Sequence, residues 1–458
     1  MKPKVVIVGG GFKGIVASKY LADQGAEVVL IEHGKNLGGI HFSIPWNGFQ
    51  LDLGCHVFSN EDDNTTQILL DLLGEEPLGI SPVVKSLYLG VETLGIEYPD
   101  FSNYPDTVIS KCLFDLLDHV ASNEGQVLKE PVLEETLDEF LANRYGREVA
   151  NLLRKPLMKM LLVEPEYLSS LAFSAIPARR VSLVKSDVAA LLKTHPVLNE
   201  LVLRSSADDP MRYVKDVASG FPHRCFYPMN GGMGGFARAA TSHLQSLGVQ
   251  IRTAVSIQAI HQDRHDELKV ELNDGEFLAC DRIFWTSSSK NLSETLKLDI
   301  DFSKTTHSVP MVLFYYDVAR DVVGPYSWVQ DFNQDDLTYR ASTPSTFGNA
   351  TAPDGRAYAL AEVLASEDSE IYLNPDLYIN QVWEELVKLG VTTGELPSNY
   401  KVMKTPVSYK FPTLDFVQAK IALDAELNHY PKLHLLDEWI FGKAASVKEV
   451  VNVLSQNI

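Results

Sequence analysis

The fold is decided by residues 4–32, which read KVVIVGGGFKGIVASKYLADQGAEVVLIE. A short apolar run predicts a buried strand over residues 4–8, and apolar residues three and four apart predict a helix over residues 15–24. A second apolar run predicts a strand over residues 27–31, and Glu32 follows it directly. A strand, a helix and a second strand in this order form one βαβ half of a Rossmann-like fold.

The loop between the first strand and the helix contains the pattern G-x-G-x-x-G. A side chain at Gly9 or Gly11 would keep a pyrophosphate away from the helix N-terminus, where free N–H groups and the helix dipole favour an anion. Gly14 allows the helix to lie close to the strand. Glu32 is placed to accept hydrogen bonds from ribose hydroxyls and would repel a 2′-phosphate, so NADP is not expected. The predicted cofactor contacts of this unit are Gly9, Gly11, Phe12, Lys13, Gly14, Glu32 and His33.

The next segment bears on the choice between NAD and FAD. It carries a glycine doublet, a hairpin with an Asn-Gly turn, and a D-x-G-x-H-x-F pattern. These features lie at Gly38-Gly39, at Asn47-Gly48, and at Asp52, Gly54, His56 and Phe58. In these features the sequence resembles the flavoprotein superfamily of amine oxidases, protoporphyrinogen oxidase, phytoene-type desaturases and UDP-galactopyranose mutase. The resemblance implies that Glu32 and the doublet hold the AMP and diphosphate of FAD, and that the loop around His56 passes beside the flavin ring.

A second segment resembles the same superfamily in chain order. Residues 227–236 read YPMNGGMGGF and open a helix predicted to end at Leu247. Strand-like residues follow, then a hairpin-type turn at residues 273–275 and a buried strand predicted over residues 281–286. The resemblance implies that Val255 meets the adenine and that Thr286 lies near the diphosphate. Because two segments that resemble this superfamily occur in the same order along the chain, FAD is favoured over NAD as the cofactor.

The third stretch predicts an antiparallel sheet that floors a substrate pocket. A long strand is predicted over residues 309–318, and Arg340 and Tyr339 are candidate catalytic residues by resemblance to the substrate-domain sheet of this superfamily. The alternative for Arg340 is an ion pair at a sheet edge with Asp335 or Asp336.

The C-terminal stretch matches the family pattern only in part. A strand is predicted over residues 433–436, and Glu438 is the candidate acceptor for a ribityl hydroxyl of FAD. Ser446 and Glu449 have the spacing of a capping box and predict the start of a final helix that ends at Leu454.

The region from residue 65 to residue 220 predicts mostly helices that cap the substrate site. It contains the densest basic stretch of the chain, formed by Arg144, Arg147, Arg154, Lys155, Lys159, Arg179, Arg180 and Lys185. One interpretation is a solvated face balanced by Glu134, Glu135 and Glu139. The other is a pocket for an anionic substrate.

Composition excludes several function classes. The chain has 458 residues, 45% hydrophobic, and a formal net charge of −20. This balance is that of a globular protein, and the charge argues against nucleic acid and anionic membranes as partners. The four cysteines have no paired spacing, so neither a zinc site nor a dithiol motif is expected and a reducing cytoplasm fits. No signal peptide, stable membrane anchor or metal site is predicted.

The predicted fold class is α/β. A discontinuous Rossmann-like FAD-binding domain (residues 1–75, 225–290 and 415–458) is interleaved with an α+β substrate domain of helical cap and antiparallel sheet (residues 76–224 and 291–414). The leading hypothesis is an FAD-dependent oxidoreductase that moves a hydride from a small organic substrate to flavin N5, with His56 as base or orienting group. The alternatives are a redox-neutral mutase similar to UDP-galactopyranose mutase, acting on an anionic nucleotide sugar, and a protein that binds a nucleotide cofactor without catalysis. The oligomeric state is left open.

Overall fold

The structure is a computed structural model. It describes residues 2–74, 78–95, 97–176, 178–203, 221, 223–263, 267–348 and 351–457. Across these residues, no helix combines the length and the apolar character that crossing a bilayer requires.

Twenty strands build five sheets. The strands are β1 (Lys4–Val8), β2 (Glu27–Glu32), β3 (Ser43–Trp46), β4 (Phe49–Asp52), β5 (Phe58–Ser59), β6 (Leu78–Ile80), β7 (Val84–Tyr88), β8 (Val91–Leu94), β9 (Cys225–Tyr227), β10 (Gln250–Thr253), β11 (Ile257–Gln262), β12 (Leu268–Leu272), β13 (Phe277–Cys280), β14 (Arg282–Trp285), β15 (Thr306–Ala319), β16 (Trp328–Asp331), β17 (Arg340–Ser342), β18 (Arg356–Leu364), β19 (Tyr400–Pro412) and β20 (Leu433–Leu435), counted over the described residues.

The described ranges also contain thirteen α-helices. They are α1 (Phe12–Asp23), α2 (Asp63–Leu73), α3 (Asp106–Val127), α4 (Leu137–Tyr145), α5 (Arg147–Leu161), α6 (Ser186–Leu192), α7 (Pro196–Leu201), α8 (Gly232–Ser246), α9 (Ser289–Thr295), α10 (Glu370–Leu373), α11 (Ile379–Lys388), α12 (Asp415–Leu427) and α13 (Lys443–Gln456).

A five-stranded parallel sheet of order β10-β2-β1-β14-β20 carries the nucleotide-binding motif. Its strands come from three distant parts of the chain, and buried apolar residues of β1, α1, α8 and α13 share one core. The predicted βαβ unit is confirmed, although α1 begins at Phe12 rather than at residue 15 because Gly11 acts as its N-cap. The predicted division into two interleaved domains, with its boundaries, stays a prediction.

A seven-stranded sheet of order β19-β15-β18-β17-β16-β7-β8 lies against the helices α3, α4 and α5. The predicted long strand is confirmed as β15. The adjacent β15 residues Tyr315 and Tyr316 point to opposite faces of the sheet. The Tyr315 hydroxyl donates to the Asp52 carbonyl, whereas the Tyr316 hydroxyl donates to the Ile379 carbonyl.

One prediction about helices is confirmed and another is wrong. The described part of the region from residue 65 to residue 220 is mostly helical, as predicted, although β6, β7 and β8 interrupt it and β7 pairs in parallel with β16. Residues 204–220 of that region lie outside the described residues. The final helix begins at Lys443 and not near Ser446, since Gly442 with φ +86 turns the chain directly into it. Glu449 then lies within the helix, so the predicted capping box is absent.

Asp52 ties the hairpin β3–β4 to the start of α8. Its buried carboxylate accepts hydrogen bonds from the Met233 N–H at 3.0 Å and the Ser43 hydroxyl at 2.6 Å, and the Tyr227 hydroxyl also donates to it. Burial raises the pKa of Asp52 to about 6. These bonds join the two segments whose motifs suggested a flavin cofactor.

Candidate active site

The glycine-rich loop brings β1 and α1 into close contact. A Cβ added to Gly14 would lie 1.8 Å from the Gly9 carbonyl oxygen, so only glycine fits at this crossing. The Thr286 hydroxyl is a hydrogen-bond donor to two backbone carbonyl oxygens, that of Val8 at 2.9 Å and that of Gly9 at 3.0 Å. A Cβ on Gly11 would meet no described atom within 4 Å. The N-terminus of α1 is therefore open to a ligand.

Glu32 lies beside a cavity of about 480 Å³, here called the outer cavity. Its Oε2 accepts from the Gly10 N–H at 2.6 Å, and its Oε1 accepts from the Gly34 N–H at 2.5 Å. His33 and Val255 line the same cavity, and the Val255 N–H donates to the Glu32 backbone carbonyl at 3.1 Å. Gly9 completes the wall. The structure thus brings together the residues predicted to meet the adenosine half of the cofactor.

A second cavity of about 520 Å³, here called the main cavity, adjoins the N-terminus of α1. The predicted site residues that line it are Gly11, Phe12, Lys13, Gly38, Gly39, His56, Thr286, Tyr339 and Arg340. It also contains residues that the sequence analysis did not single out. Among these are His41, Cys55, Glu97, Gln330, Tyr409 and Lys443.

Two predicted cofactor contacts, Glu438 and Gly14, lie apart from both cavities. The Glu438 Oε1 accepts a hydrogen bond from the Ser289 N–H at 2.9 Å, and Glu438 lines neither the outer nor the main cavity. Its role as an acceptor for a ribityl hydroxyl stays a prediction. Gly14 also lines neither cavity, since it lies at the contact between α1 and β1.

Arg340 forms an ion pair with the buried Glu362 on β18. The Arg340 Nε donates to Oε1 at 2.7 Å and Nη2 donates to Oε2 at 2.6 Å, while Oε1 also accepts from the Cys55 N–H at 3.0 Å. Because β17 lies inside the sheet and its register sets Arg340 opposite Glu362, the alternative of a sheet-edge pair with Asp335 or Asp336 is wrong. This pair fixes the loop around Cys55 against the sheet. Tyr339, the residue before Arg340, is buried. Its hydroxyl accepts a hydrogen bond from the side-chain nitrogen of Gln330 at 3.4 Å.

Two histidines meet in the main cavity. The ring centroids of His41 and His56 lie 5.5 Å apart, and the His56 Nε2 is 3.1 Å from the Leu53 carbonyl oxygen. Burial, with a smaller contribution from the nearby Lys443 charge, lowers the pKa of His41 to about 3. The same two causes hold the pKa of His56 well below its usual value. Both rings are therefore neutral at physiological pH.

The lowered pKa of His41 predicts acid sensitivity. The unfolded chain binds a proton at this position below about pH 6.5 and the folded chain does not, so stability is full above that pH and is lost as the pH falls towards 3. Between pH 6.5 and 5.0 the wild type should lose about 1.5 kcal/mol more than His41→Gln in urea unfolding. His429→Gln, at an exposed position, is the matched control and should follow the wild type. Parallel curves for the wild type and His41→Gln would contradict this assignment.

Two arginines of the basic stretch, Arg147 and Arg154, have acidic partners. Nη1 atoms of Arg147 and Arg154 lie 2.7 and 3.4 Å from the Asp138 carboxylate. The Arg154 Nη2 also lies 2.7 Å from Glu164 and 2.7 Å from Glu166. These partners differ from the three glutamates that the sequence suggested. The geometry supports the solvated face and gives no support to a pocket for an anionic substrate at these two arginines.

Comparison with known proteins finds relatives of this chain in sequence and in structure. Residues 7–72 match the model of an NAD(P)-binding Rossmann-like domain. The carotenoid 3,4-desaturase of Haloarcula japonica is 23% identical over 389 residues, which are 77% of this chain and 74% of the desaturase. The chain is similar to members of the FAD-dependent amine oxidase-like superfamily.

Solved structures share the fold of this chain. Reduced UDP-galactopyranose mutase superposes with a TM-score of 0.67 at 18% identity, over 99% of this chain and 96% of the mutase. A protein described as a putative protoporphyrinogen oxidase from Exiguobacterium sp. 255-15 superposes with a TM-score of 0.63 at 17% identity, over 100% and 98%. The predicted α/β fold with a Rossmann-like unit is confirmed. The sequence relatives of the chain in this superfamily are oxidoreductases.

The residues that the sequence analysis missed differ in how well they could have been found. Lys443 follows Gly442 at the start of the last helix, and a correct helix start would have drawn attention to it. His41 lies next to the glycine doublet. Glu362 carried no local signal, because only the pairing of β17 with β18 sets it opposite Arg340.

Proposed function

We propose that this chain binds FAD and transfers a hydride from a carbon of a small organic substrate to flavin N5. The observation that supports it is the position of two cavities at one helix N-terminus. The outer cavity is lined by Gly9 and the main cavity by Gly11, so a dinucleotide lying across the start of α1 reaches both.

The residues present fit this cofactor. The absence of side chains at Gly9 and Gly11 leaves room for a diphosphate, and α1 has no side-chain cap to occupy its free N–H groups. Glu32 would hold the ribose hydroxyls in the outer cavity. Gly38 and Thr286 would flank the diphosphate and ribityl chain, and the main cavity would hold the flavin ring.

When bound, FAD supplies the hydride acceptor, and the chain supplies orientation and exclusion of water. The apolar wall that excludes water includes Met160, Ala175 and Phe441. His56 donates from Nε2–H to the Leu53 carbonyl, which leaves its Nδ1 lone pair available. A neutral imidazole with a free lone pair can accept a hydrogen bond from a substrate amine or hydroxyl and so orient the substrate as the hydride leaves.

The first test is cofactor uptake followed by a substrate screen. The purified protein should bind FAD and turn yellow, and anaerobic incubation with the correct substrate among amines, polyenes and nucleotide sugars should bleach the flavin. His56→Ala should then lower the rate of bleaching without loss of bound FAD. A protein that stays colourless in excess FAD would overturn the proposal. Unchanged bleaching in His56→Ala would remove His56 from the chemistry.

A second candidate is a redox-neutral mutase. The loop with His56 and the superposition on UDP-galactopyranose mutase favour it. The acidic partners of Arg147 and Arg154 argue against an anionic nucleotide sugar at those arginines. The resemblance to the mutases implies a second histidine in this loop, and this chain has Ser59 at that position. Isomerisation of a nucleotide sugar that appears only after dithionite reduction would establish this candidate. FAD uptake with neither reaction would leave the third hypothesis, cofactor binding without catalysis.

A further inference from the structure

The loop that joins β16 to β17 connects the floor of the main cavity to its helical wall. This loop, residues 332–338, is here called the floor loop. Gln330, shortly before it, and Tyr339, directly after it, both line the main cavity. The helix α5 contributes Met160 to the same lining. A contact between the floor loop and α5 therefore bears on how far apart these two parts of the cavity lie.

Lys159 of α5 makes that contact. Its side chain is buried, and its Nζ donates to the backbone carbonyls of Asn333 at 2.5 Å and Asp336 at 2.9 Å. The Gln334 side-chain nitrogen adds a bond from the floor loop to the Lys155 carbonyl of the same helix, at 3.0 Å. Lys159 thus fits neither interpretation of the basic stretch, because it is not solvated and its ammonium is engaged by carbonyls of the chain itself.

A second helix, α11, also holds the floor loop. The buried Glu385 carboxylate accepts hydrogen bonds from the N–H groups of Leu337 at 2.9 Å and Thr338 at 2.8 Å. The Lys388 ammonium lies 2.8 Å from the Asp336 carboxylate. The floor loop is therefore fixed to two helices, and Lys159 is its ammonium link to the helix that lines the cavity.

The charges of this cluster balance only while one carboxyl group keeps its proton. Three carboxyl groups, Asp331, Asp336 and Glu385, interact with two ammonium groups, Lys159 and Lys388. Asp331 is 1% exposed, and burial, with a smaller contribution from Asp336, raises its pKa to about 7. Ionisation of Asp331 adds a buried negative charge that repels Asp336 and attracts the Lys159 ammonium away from the loop carbonyls.

We propose that Lys159 is a positioning residue that sets the width of the main cavity by holding α5 against the floor loop. The inference rests on the proposed function only in taking the main cavity as the substrate site. Lys159 does not itself line the cavity, so it acts through its neighbour Met160 and the floor loop. Two consequences can be measured. Removal of the ammonium should open the cavity, and so should a rise in pH that ionises Asp331.

Cys55 provides a probe of the cavity that needs no known substrate. It lines the main cavity and is half-buried, whereas Cys112, Cys225 and Cys280 are buried and line neither cavity. The full-length protein in excess FAD is treated with N-ethylmaleimide, and modification of each cysteine is followed by mass spectrometry. We expect Lys159→Met to raise the rate at Cys55 about tenfold, because hydrogen bonds from a charged donor are lost. The other three rates should stay within about twofold of the wild type.

Two further variants complete the experiment. Lys155→Met changes an exposed lysine of the same helix and should keep the wild-type rate at Cys55. Asp331→Asn imitates the protonated acid. Because the pKa of Asp331 is raised in the folded state, its contribution to stability is lost as the pH rises to about 7. Between about pH 6 and about pH 8.5, the wild-type rate should therefore rise about threefold or more relative to that of Asp331→Asn.

The outcomes are distinct. An unchanged rate at Cys55 in a folded Lys159→Met protein would overturn the inference, and so would equal acceleration at all four cysteines, which indicates general loss of stability. If Lys159→Met does not fold, the comparison with Asp331→Asn decides, and parallel pH profiles would then contradict the inference. A wild type that stays colourless in excess FAD overturns the proposed function instead, and Cys55 still reports on the contact.

Discussion

Gly11→Val is expected to abolish FAD binding while the apo protein stays folded. The added side chain meets no described atom within 4 Å of its Cβ, and the backbone at φ −69 and ψ −173 is one that valine adopts readily. Its stability should therefore change by no more than ~0.5 kcal/mol. The same side chain occupies the space through which a diphosphate must reach the N–H groups of α1. We expect the dissociation constant for FAD, measured by quenching of flavin fluorescence, to rise about a hundredfold or more.

Gly14→Ala is the matched comparison for this variant. Its Cβ would lie 1.8 Å from a backbone oxygen of Gly9, so the strand and helix must separate and the apo protein itself should be destabilised. The Gly11→Val protein should thus stay folded but fail to bind FAD, whereas the Gly14→Ala protein should lose both its fold and FAD binding. Normal FAD affinity in a folded Gly11→Val protein would show that the cofactor does not pass this loop.

Arg340→Ala is expected to destabilise the protein by about 3–5 kcal/mol, because it leaves a buried carboxylate without its partner. Glu362 is fully buried and receives both guanidinium donors as well as the Cys55 N–H. The midpoint of urea unfolding, at unchanged slope, measures the loss.

The double variant Arg340→Met with Glu362→Gln provides the control. It removes both charges, so it should recover a large part of the stability that Arg340→Ala loses. If Arg340→Ala keeps wild-type stability and raises only KM for the substrate, the arginine faces the ligand and the ion pair is incidental.

Local sequence was sufficient for the nucleotide-binding unit, because its signals are short in range. Apolar runs predicted β1 and β2, and Asn47-Gly48 predicted the turn of the β3–β4 hairpin, where both residues have positive φ values of 46 and 84. Local reasoning also placed Glu32 and His33 at one end of a cofactor, and the family resemblance placed Val255 there. The three residues line one cavity.

The rest of the site depends on contacts between distant residues. Arg340 was singled out, but its partner lies on the next strand of the sheet and could not be chosen before the strand order was known. Lys443 was overlooked because Ser446 and Glu449 imitate a capping box and displaced the predicted start of α13. In the structure Glu449 instead accepts from the Asp437 N–H at 2.6 Å. The Ser446–Glu449 spacing is that of a capping box, but a tertiary contact gives Glu449 a different role.

The origin of the parallel sheet has a consequence for biosynthesis. Central strand β1 lies between β2, which follows it within thirty residues, and β14, which begins at Arg282. The edge strand β20 is made only at Leu433–Leu435. The first strands must therefore wait, with an unpaired edge, for most of the chain to be translated, and pairing across such separations is slow. The nucleotide-binding sheet therefore cannot be complete until the chain has been synthesised as far as β20, so the earliest part of the fold is also among the last to be finished.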